Sequence, residues 1–326
     1  MFKQGYFILL STLVILEVIN AAVRTKVKEK LKRNKKPQQA IPQFIDDSDI
    51  ECGRTALTSQ QTAKLEKDQM YPQRFPWTGV LLRRNGKEYT PHCIVTLIPD
   101  ADEDSSSLVL TLSTCIRNHG QLTNYKVYFG SSFPVQRRCR ELRSIKSIMT
   151  DKTSPNPAVG NAAVLTLSKP VQLNNRSQPV CLSKPSARMP ENSSCVLSLL
   201  RGDGKDGKPE HYLIDVITRP NAYCKRIPGQ SLLIDSKMEV CATDHRKGFF
   251  MAKGGALLCR SGKKWVQYGV YSHGSNIVDD LDYVYNSTMT GKEGAAAYIS
   301  VSTFRMLMQN SQNLDALGRI NLMRIR

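Results

Sequence analysis

Short apolar runs separated by turn-forming residues recur from Cys52 onward: Trp77 to Leu82, Cys93 to Ile98, Leu108 to Ile116, Ala162 to Leu167, Tyr212 to Ile217, Trp265 to Tyr271 and Tyr298 to Val301. Many are rich in Val, Ile, Leu and Tyr, and they are too short for helices. The pattern predicts an all-β chain. One stretch departs from it, where Ser302 or Thr303 can cap a helix whose Phe304, Leu307 and Met308 fall on one face at spacings of three and four. There is no internal repeat, and a β domain of about 260 residues is within the usual range for a single sandwich or barrel unit.

The ends of the chain follow other rules. Lys3, the apolar run Tyr6 to Ile19 and the small Ala21 and Ala22 read as a cleavable secretory signal over residues 1–22. That run falls short of the about 20 residues of a comfortable membrane span, and no later stretch approaches that length, so no membrane span is expected after cleavage. Residues 23–51 carry a basic run and then an acidic patch (Asp46, Asp47, Asp49, Glu51) without an apolar period, the composition of a flexible pro-segment or arm. Residues 52–312 form the expected domain, and residues 313–326 are set apart as a C-terminal tail.

Composition sharpens the compartment. Nine cysteines, at 52, 93, 115, 139, 181, 195, 224, 241 and 259, are scattered instead of clustered as CxxC pairs, which favours an extracellular disulfide framework over a zinc site. The count is odd, so at least one thiol stays free or pairs with another chain. Sequons at Asn175, Asn192 and Asn286 agree with passage through a secretory compartment. The net charge is +18, of which residues 24–36 supply +7. Lys26, Lys28, Lys30, Lys32, Arg33, Lys35 and Lys36 in that run make a polyanion-binding arm, and a processing region is the other reading of the same residues. For a secreted chain the polyanion is a glycosaminoglycan, an anionic lipid or an acidic protein, and no nucleic acid is expected.

Nine segments in order then carry a specific likeness. Phe75-Pro76-Trp77 with Val80-Leu81-Leu82 resembles an FPW entry segment, Cys93 to Ile98 a CGGSLI strand, and LVLTLSTCI (Leu108 to Ile116) the WVLTAAHC segment of the trypsin/chymotrypsin family. NAAVLTLSKPV (Asn161 to Val171) resembles DIALLKLSKPV, and QPVCL (Gln178 to Leu182) resembles QPICL. Ala222-Tyr223-Cys224 with Val240-Cys241-Ala242 looks like the two ends of one disulfide loop, and MAKGGALLC (Met251 to Cys259) resembles GDSGGPLVC. YGVYSHG (Tyr268 to Gly274) resembles the substrate-binding strand, and GAAAYISVS (Gly294 to Ser302) resembles PGVYTRVS. The resemblance implies a trypsin-like double β-barrel with a C-terminal helix. It also implies the bridges Cys52 with Cys181, Cys93 with Cys115, Cys195 with Cys259 and Cys224 with Cys241, leaving Cys139, between Arg138 and Arg140, as the free thiol.

Peptide hydrolysis in that family needs a Ser nucleophile, a His that takes its proton, an Asp that orients the imidazole, and backbone donors for the oxyanion. The resemblance puts Thr114 at the His position, Asn161 at the Asp position and Lys253 at the Ser position. It also puts Met251 where the family has a small oxyanion-loop glycine, Ala252 where it has the Asp that receives the freed amine, about Lys247 at the pocket base, and Phe249 where a pocket cysteine would stand. Catalysis and zymogen activation are therefore both expected to be absent, and no cofactor or metal is called for. Three functions remain to be weighed: a secreted non-catalytic serine protease homologue that binds a protease or a protease inhibitor, an extracellular polyanion-binding or host-defence protein, and a hydrolase with a non-standard nucleophile, for which Lys253 with Ser272 or His273, or Cys139 with His119, are the available side chains. Arg201-Gly202-Asp203 is an integrin-type tripeptide of a kind that arises often by chance, and Asp100, Asp102 and Asp104 read as a solvated turn instead of a calcium loop.

Overall fold

The computed structural model describes residues 51–55, 75–116, 119–129, 142–151, 161–185, 187–201, 210–226, 237–244, 249–251, 253–274, 284–286, 294–309 and 320–324. Residues 1–50, which include the expected signal and nearly all of the expected arm, lie outside the described residues, as do Cys139 and the Gly202-Asp203 pair.

Six strands make the first barrel: β1 (Thr78–Asn85), β2 (Glu88–Leu97), β3 (Ser105–Leu112), β4 (Tyr125–Tyr128), β5 (Arg143–Asp151) and β6 (Ala162–Gln172). Their order is β5-β4-β1-β2-β3-β6, every pairing is antiparallel, and β6 closes on β5 so that the ring has no free edge at that join. After β7 (Cys181–Leu182), the second barrel is built from β8 (Ser194–Arg201), β9 (Glu210–Arg219), β10 (Glu239–Asp244), β12 (Ala256–Ser261), β13 (Lys264–Gly274) and β15 (Gly294–Ser300). It closes through β12 against β8, while β11 (Phe249–Met251) and β14 (Val284–Asn286) extend the far part of β8. A one-turn helix α1 (Asn221–Cys224) and the helix α2 (Val301–Gln309) complete the described elements with a last strand, β16 (Ile320–Arg324).

Alternation explains the short strands. In β4 the buried Tyr125 and Val127 alternate with the half-buried Lys126 and Tyr128, the period of a sheet with one face on a core. In β6 the run Ala162 to Leu165 is buried on both faces, because its strand lies between β3 and β5 and its small first residues let neighbouring layers approach. The apolar run Leu108 to Ile116 is not one strand: it leaves the ladder at Leu112 and becomes a 3-10 turn, Ser113–Cys115. There the amide of Ser113 donates to the Asn161 carbonyl at 2.7 Å in place of continuing the β3 ladder.

One core spans both barrels. Val80, Leu82 and Ile94 of the first barrel pack with Leu197, Leu257, Tyr271 and Tyr298 of the second, all of them buried. Removing such side chains from water contributes about 1.5–3 kcal/mol each, so the seam is a stabilising contact and not a loose hinge. At its centre Gly254 adopts φ +77°, and a Cβ there would run into the Ile94 carbonyl and the Thr111 hydroxyl. The chain tolerates this approach only because glycine has no side chain.

Covalent links reinforce the frame. Disulfides join Cys52 to Cys181, Cys93 to Cys115, Cys195 to Cys259 and Cys224 to Cys241. On a chain-entropy account each restricts the unfolded state by about 3–5 kcal/mol, most for the longest loop, Cys52 to Cys181. The segment around Cys52 is also hydrogen-bonded: Gly53 donates to the Pro179 carbonyl at 2.9 Å and accepts from the Trp265 amide at 2.8 Å.

Two expectations are corrected at the C-terminus. The helix starts at Val301, before either expected cap, and Ser300 takes the capping role by accepting a hydrogen bond from the Thr303 amide at 3.3 Å. Ser300 ends β15, so strand-to-helix passage needs no separate loop residue. Of the segment set apart as a tail, residues 320–324 form β16, which pairs antiparallel with β5 from Ile320 opposite Asp151 to Arg324 opposite Ser147. The chain thus returns from the second barrel to add a strand to the first. A buried arginine also holds α2: Arg305 Nη1 donates to the carbonyls of Leu182 and Ser183 at 3.2 and 3.1 Å.

Two outcomes follow. Truncation after residue 312 should leave both barrels folded but raise the hydrogen-exchange rates of the β5 amides that face β16 by about tenfold or more, since local opening then exposes them. Unchanged protection would mean that β16 does not pair in solution. Gly254→Ala should lower the urea midpoint by an amount corresponding to about 3 kcal/mol or more. Gly262→Ala, at a positive φ but with open space around it, should cost only about 1 kcal/mol.

Candidate functional site

Thr114 sits half-buried in the 3-10 turn that follows β3, and two devices immobilise that turn. Cys115 is bonded to Cys93 of β2, and Ser113 grips Asn161 in both directions, its amide donating to the Asn161 carbonyl at 2.7 Å and its Oγ accepting from the Asn161 amide at 2.8 Å. Asn161 stands just before β6 and is 1 % exposed. Its Oδ1 accepts from the Ala162 amide at 2.8 Å, and its Nδ2 has no hydrogen-bond partner among the described residues.

Lys253 lies in the turn that leads into β12 and is 2 % exposed. Its carbonyl accepts from the Ile94 amide at 2.9 Å, and the next residues are fastened to β13, with Gly254 donating to the Tyr271 carbonyl at 3.2 Å and Tyr271 donating to the Gly255 carbonyl at 2.7 Å. Thr111 of β3 completes the join by donating its hydroxyl to the Ile94 carbonyl at 2.7 Å. The segments carrying Thr114, Asn161 and Lys253 are therefore joined at the seam through Ile94, the Cys93–Cys115 bridge and Ser113. None of the three side chains offers an imidazole, a carboxylate or a hydroxyl poised for deprotonation. A threonine hydroxyl is not a base near neutral pH, an asparagine carries no charge, and a lysine taken out of water costs several kcal/mol that its surroundings must offset.

Ser272 and His273, which the sequence reading weighed as partners of Lys253, meet a third polar side chain that it missed, Glu239. Glu239, buried at the start of β10, places Oε1 3.7 Å from His273 Nδ1, and Ser272 Oγ lies 3.0 Å from the same nitrogen. In a working relay the carboxylate holds one ring nitrogen while the other faces the nucleophile. Here hydroxyl and carboxylate share Nδ1, so Ser272, His273 and Glu239 do not form a nucleophile-base-acid series. No sequence signal marked Glu239, because an acid entering a strand two positions before a cysteine looks like an exposed residue until the barrel closes over it. The other proposed dyad, Cys139 with His119, rests on a cysteine outside the described residues.

The remaining motifs are local. Asp100 Oδ2 accepts from the Ser107 amide and hydroxyl at 3.0 and 2.6 Å, and Asp102 accepts from the Asp104 amide at 2.9 Å and the Ser105 hydroxyl at 2.7 Å. Those bonds from Ser105 and Asp104 hold the Asp102 carboxyl below its usual range. The aspartates thus build a turn with their own backbone. Among the described residues no group of three His, Cys, Asp or Glu side chains is placed to hold a metal ion. Asn175 and Asn192 are exposed in turns; Asn286 lies in β14, and its side chain is outside the described set. Among the described residues no helix is long and apolar enough to cross a membrane.

The family model described as Trypsin matches residues 65–287, which takes in nearly all of both barrels and the three positions above. Two closed antiparallel six-stranded barrels, a seam that carries the matched loops, and a match over more than half of the chain agree: this protein belongs to the trypsin family.

Proposed function

We propose that the protein is a secreted, non-catalytic serine protease homologue that works by binding another extracellular protein, as a cofactor, scaffold or decoy for a protease or a protease inhibitor. One observation carries this reading. At the position that the sequence likeness gives to the family's nucleophile stands Lys253, buried at the seam with its backbone bonded to Ile94, while Asn161 spends its side-chain oxygen on the neighbouring Ala162 amide. Losing the Ser or the His of a comparable Ser-His-Asp series lowers turnover on the order of a million-fold, and here the likeness puts other residues at all three positions. The disulfide frame and the apolar N-terminal segment support secretion.

Charge favours a second reading, an extracellular polyanion binder or host-defence protein. Besides the basic arm, the β1–β2 hairpin exposes Arg83, Arg84 and Lys87 around Gly86, so cations are present on the barrel body too. Such binding weakens steeply with salt, whereas a shape-based protein contact does so far less.

The purified protein should not label with an active-serine phosphonate probe or cleave peptide substrates, and Lys253→Ser alone should remain inactive because Thr114 cannot take the proton. Peptide turnover in the wild type that Lys253→Ala abolishes would sink the proposal. Capture from its own extracellular fluid at physiological salt, with and without residues 23–36, separates the two binding readings. A protease or inhibitor retained without the arm supports the first, and polyanions released by deleting the arm support the second.

A further inference from the structure

Asn192 is set apart from the other sequons by its surroundings. Among the described non-glycine residues it alone has a left-handed backbone, at φ +51°, in the exposed turn before β8. Its Oδ1 accepts a hydrogen bond from Arg219 Nη1 at 3.0 Å, which fixes the amide plane and leaves Nδ2 directed away from that bond. Arg219 is itself positioned from two sides. Its Nε reaches Thr243 Oγ1 at 3.4 Å, and its guanidinium lies 4.8 Å from the centroid of the Tyr223 ring. Tyr223 is 41 % exposed, one of two large apolar side chains that stand out among the described residues. A planar cation on a partly exposed aromatic ring, beside an asparagine held through its acceptor oxygen, is a surface suited to the apolar face and hydroxyls of a sugar.

We propose that Asn192 carries an N-linked glycan whose first N-acetylglucosamine packs on the Arg219–Tyr223 stack. The modification joins Nδ2 to the anomeric carbon of an oligosaccharide supplied on a lipid pyrophosphate. The bond from that carbon to the pyrophosphate oxygen breaks, the leaving group keeps the electron pair, and the amide gives up one proton. Asn175, exposed in the turn between Asn174 and Ser177, serves as the internal comparison. The inference rests on passage through the secretory pathway, as the proposed function does.

The test uses the full chain secreted from a eukaryotic cell line. Enzymatic deglycosylation in heavy-oxygen water, read by mass spectrometry, gives occupancy at each sequon. Timed release of glycans from the native protein then gives their accessibility. The Asn192 glycan should be occupied and released about fivefold more slowly than that of Asn175, as expected for a sugar docked most of the time. Tyr223→Ser and Arg219→Lys, each checked by thermal melting for an intact fold, should bring the Asn192 rate to that of Asn175. Equal release rates in the wild type, or occupancy at Asn175 with none at Asn192, would overturn the proposal and leave the secretory reading standing. No occupancy at any of the three sequons of the secreted chain would likewise overturn the proposal alone, whereas a chain that the cells do not export would overturn both.

Discussion

The structure turns on the approach of one glycine to the opposite barrel. At Gly254 the chain enters a positive φ, and the space where a Cβ would stand is occupied by the Ile94 carbonyl and the Thr111 hydroxyl. Around that contact the hydrogen bonds from Ile94 to the Lys253 carbonyl, from Gly254 to Tyr271 and from Thr111 to Ile94 are neighbours, so main chain from both barrels meets with little side-chain volume between them. Apolar packing of Val80, Leu82 and Ile94 against Leu197, Leu257 and Tyr271 depends on that spacing. Widening it would cost both the hydrogen bonds and the burial, which is why the loops at the seam are held in place whatever side chains they carry.

That dependence has a consequence for the site. In a trypsin-like barrel pair the seam positions hold the reacting groups, and the backbone that places them is structural in its own right. Here Ser113, Asn161 and Lys253 are tied into the seam through main-chain atoms and the Ser113 hydroxyl. Chemistry and architecture are thus separable at this place. The hydrogen bonds that close the frame at these positions use main-chain atoms and hydroxyls, not an imidazole or a carboxylate.

Outside the seam, the second barrel gathers polar groups that a single-residue reading does not connect. Glu239 with His273, Arg219 with Asn192, and Arg305 with the carbonyls of Leu182 and Ser183 each join residues distant in sequence. Their common cause is barrel closure. It brings β9, β10, β13 and β15 side by side and sets α2 against β7. Together with β16, which carries the chain from α2 back to β5, these contacts distribute the stability of the unit over both barrels.

Much of the fold was legible in the order of residues. Short apolar runs, glycine- and asparagine-bearing turns and a single amphipathic stretch near the end are local properties, governed by the two-residue period of strands and the 3.6-residue period of helices. The likeness of the family segments likewise leads to Thr114, Asn161 and Lys253 as the proposed counterparts of the reacting groups, because such an assignment follows from motif order alone. What the order could not supply is whatever depends on a partner far along the chain. The strand at Ile320 to Arg324 is stable only where β5 offers an edge, Ser300 becomes a cap only because β15 ends there, and Glu239 meets His273 only after the barrel has closed. Local sequence by itself determined most of the strands, though not β16, and which chemistry they can carry. Tertiary structure decided their neighbours, since a hydrogen bond or a buried contact exists only between groups that the whole fold has brought together.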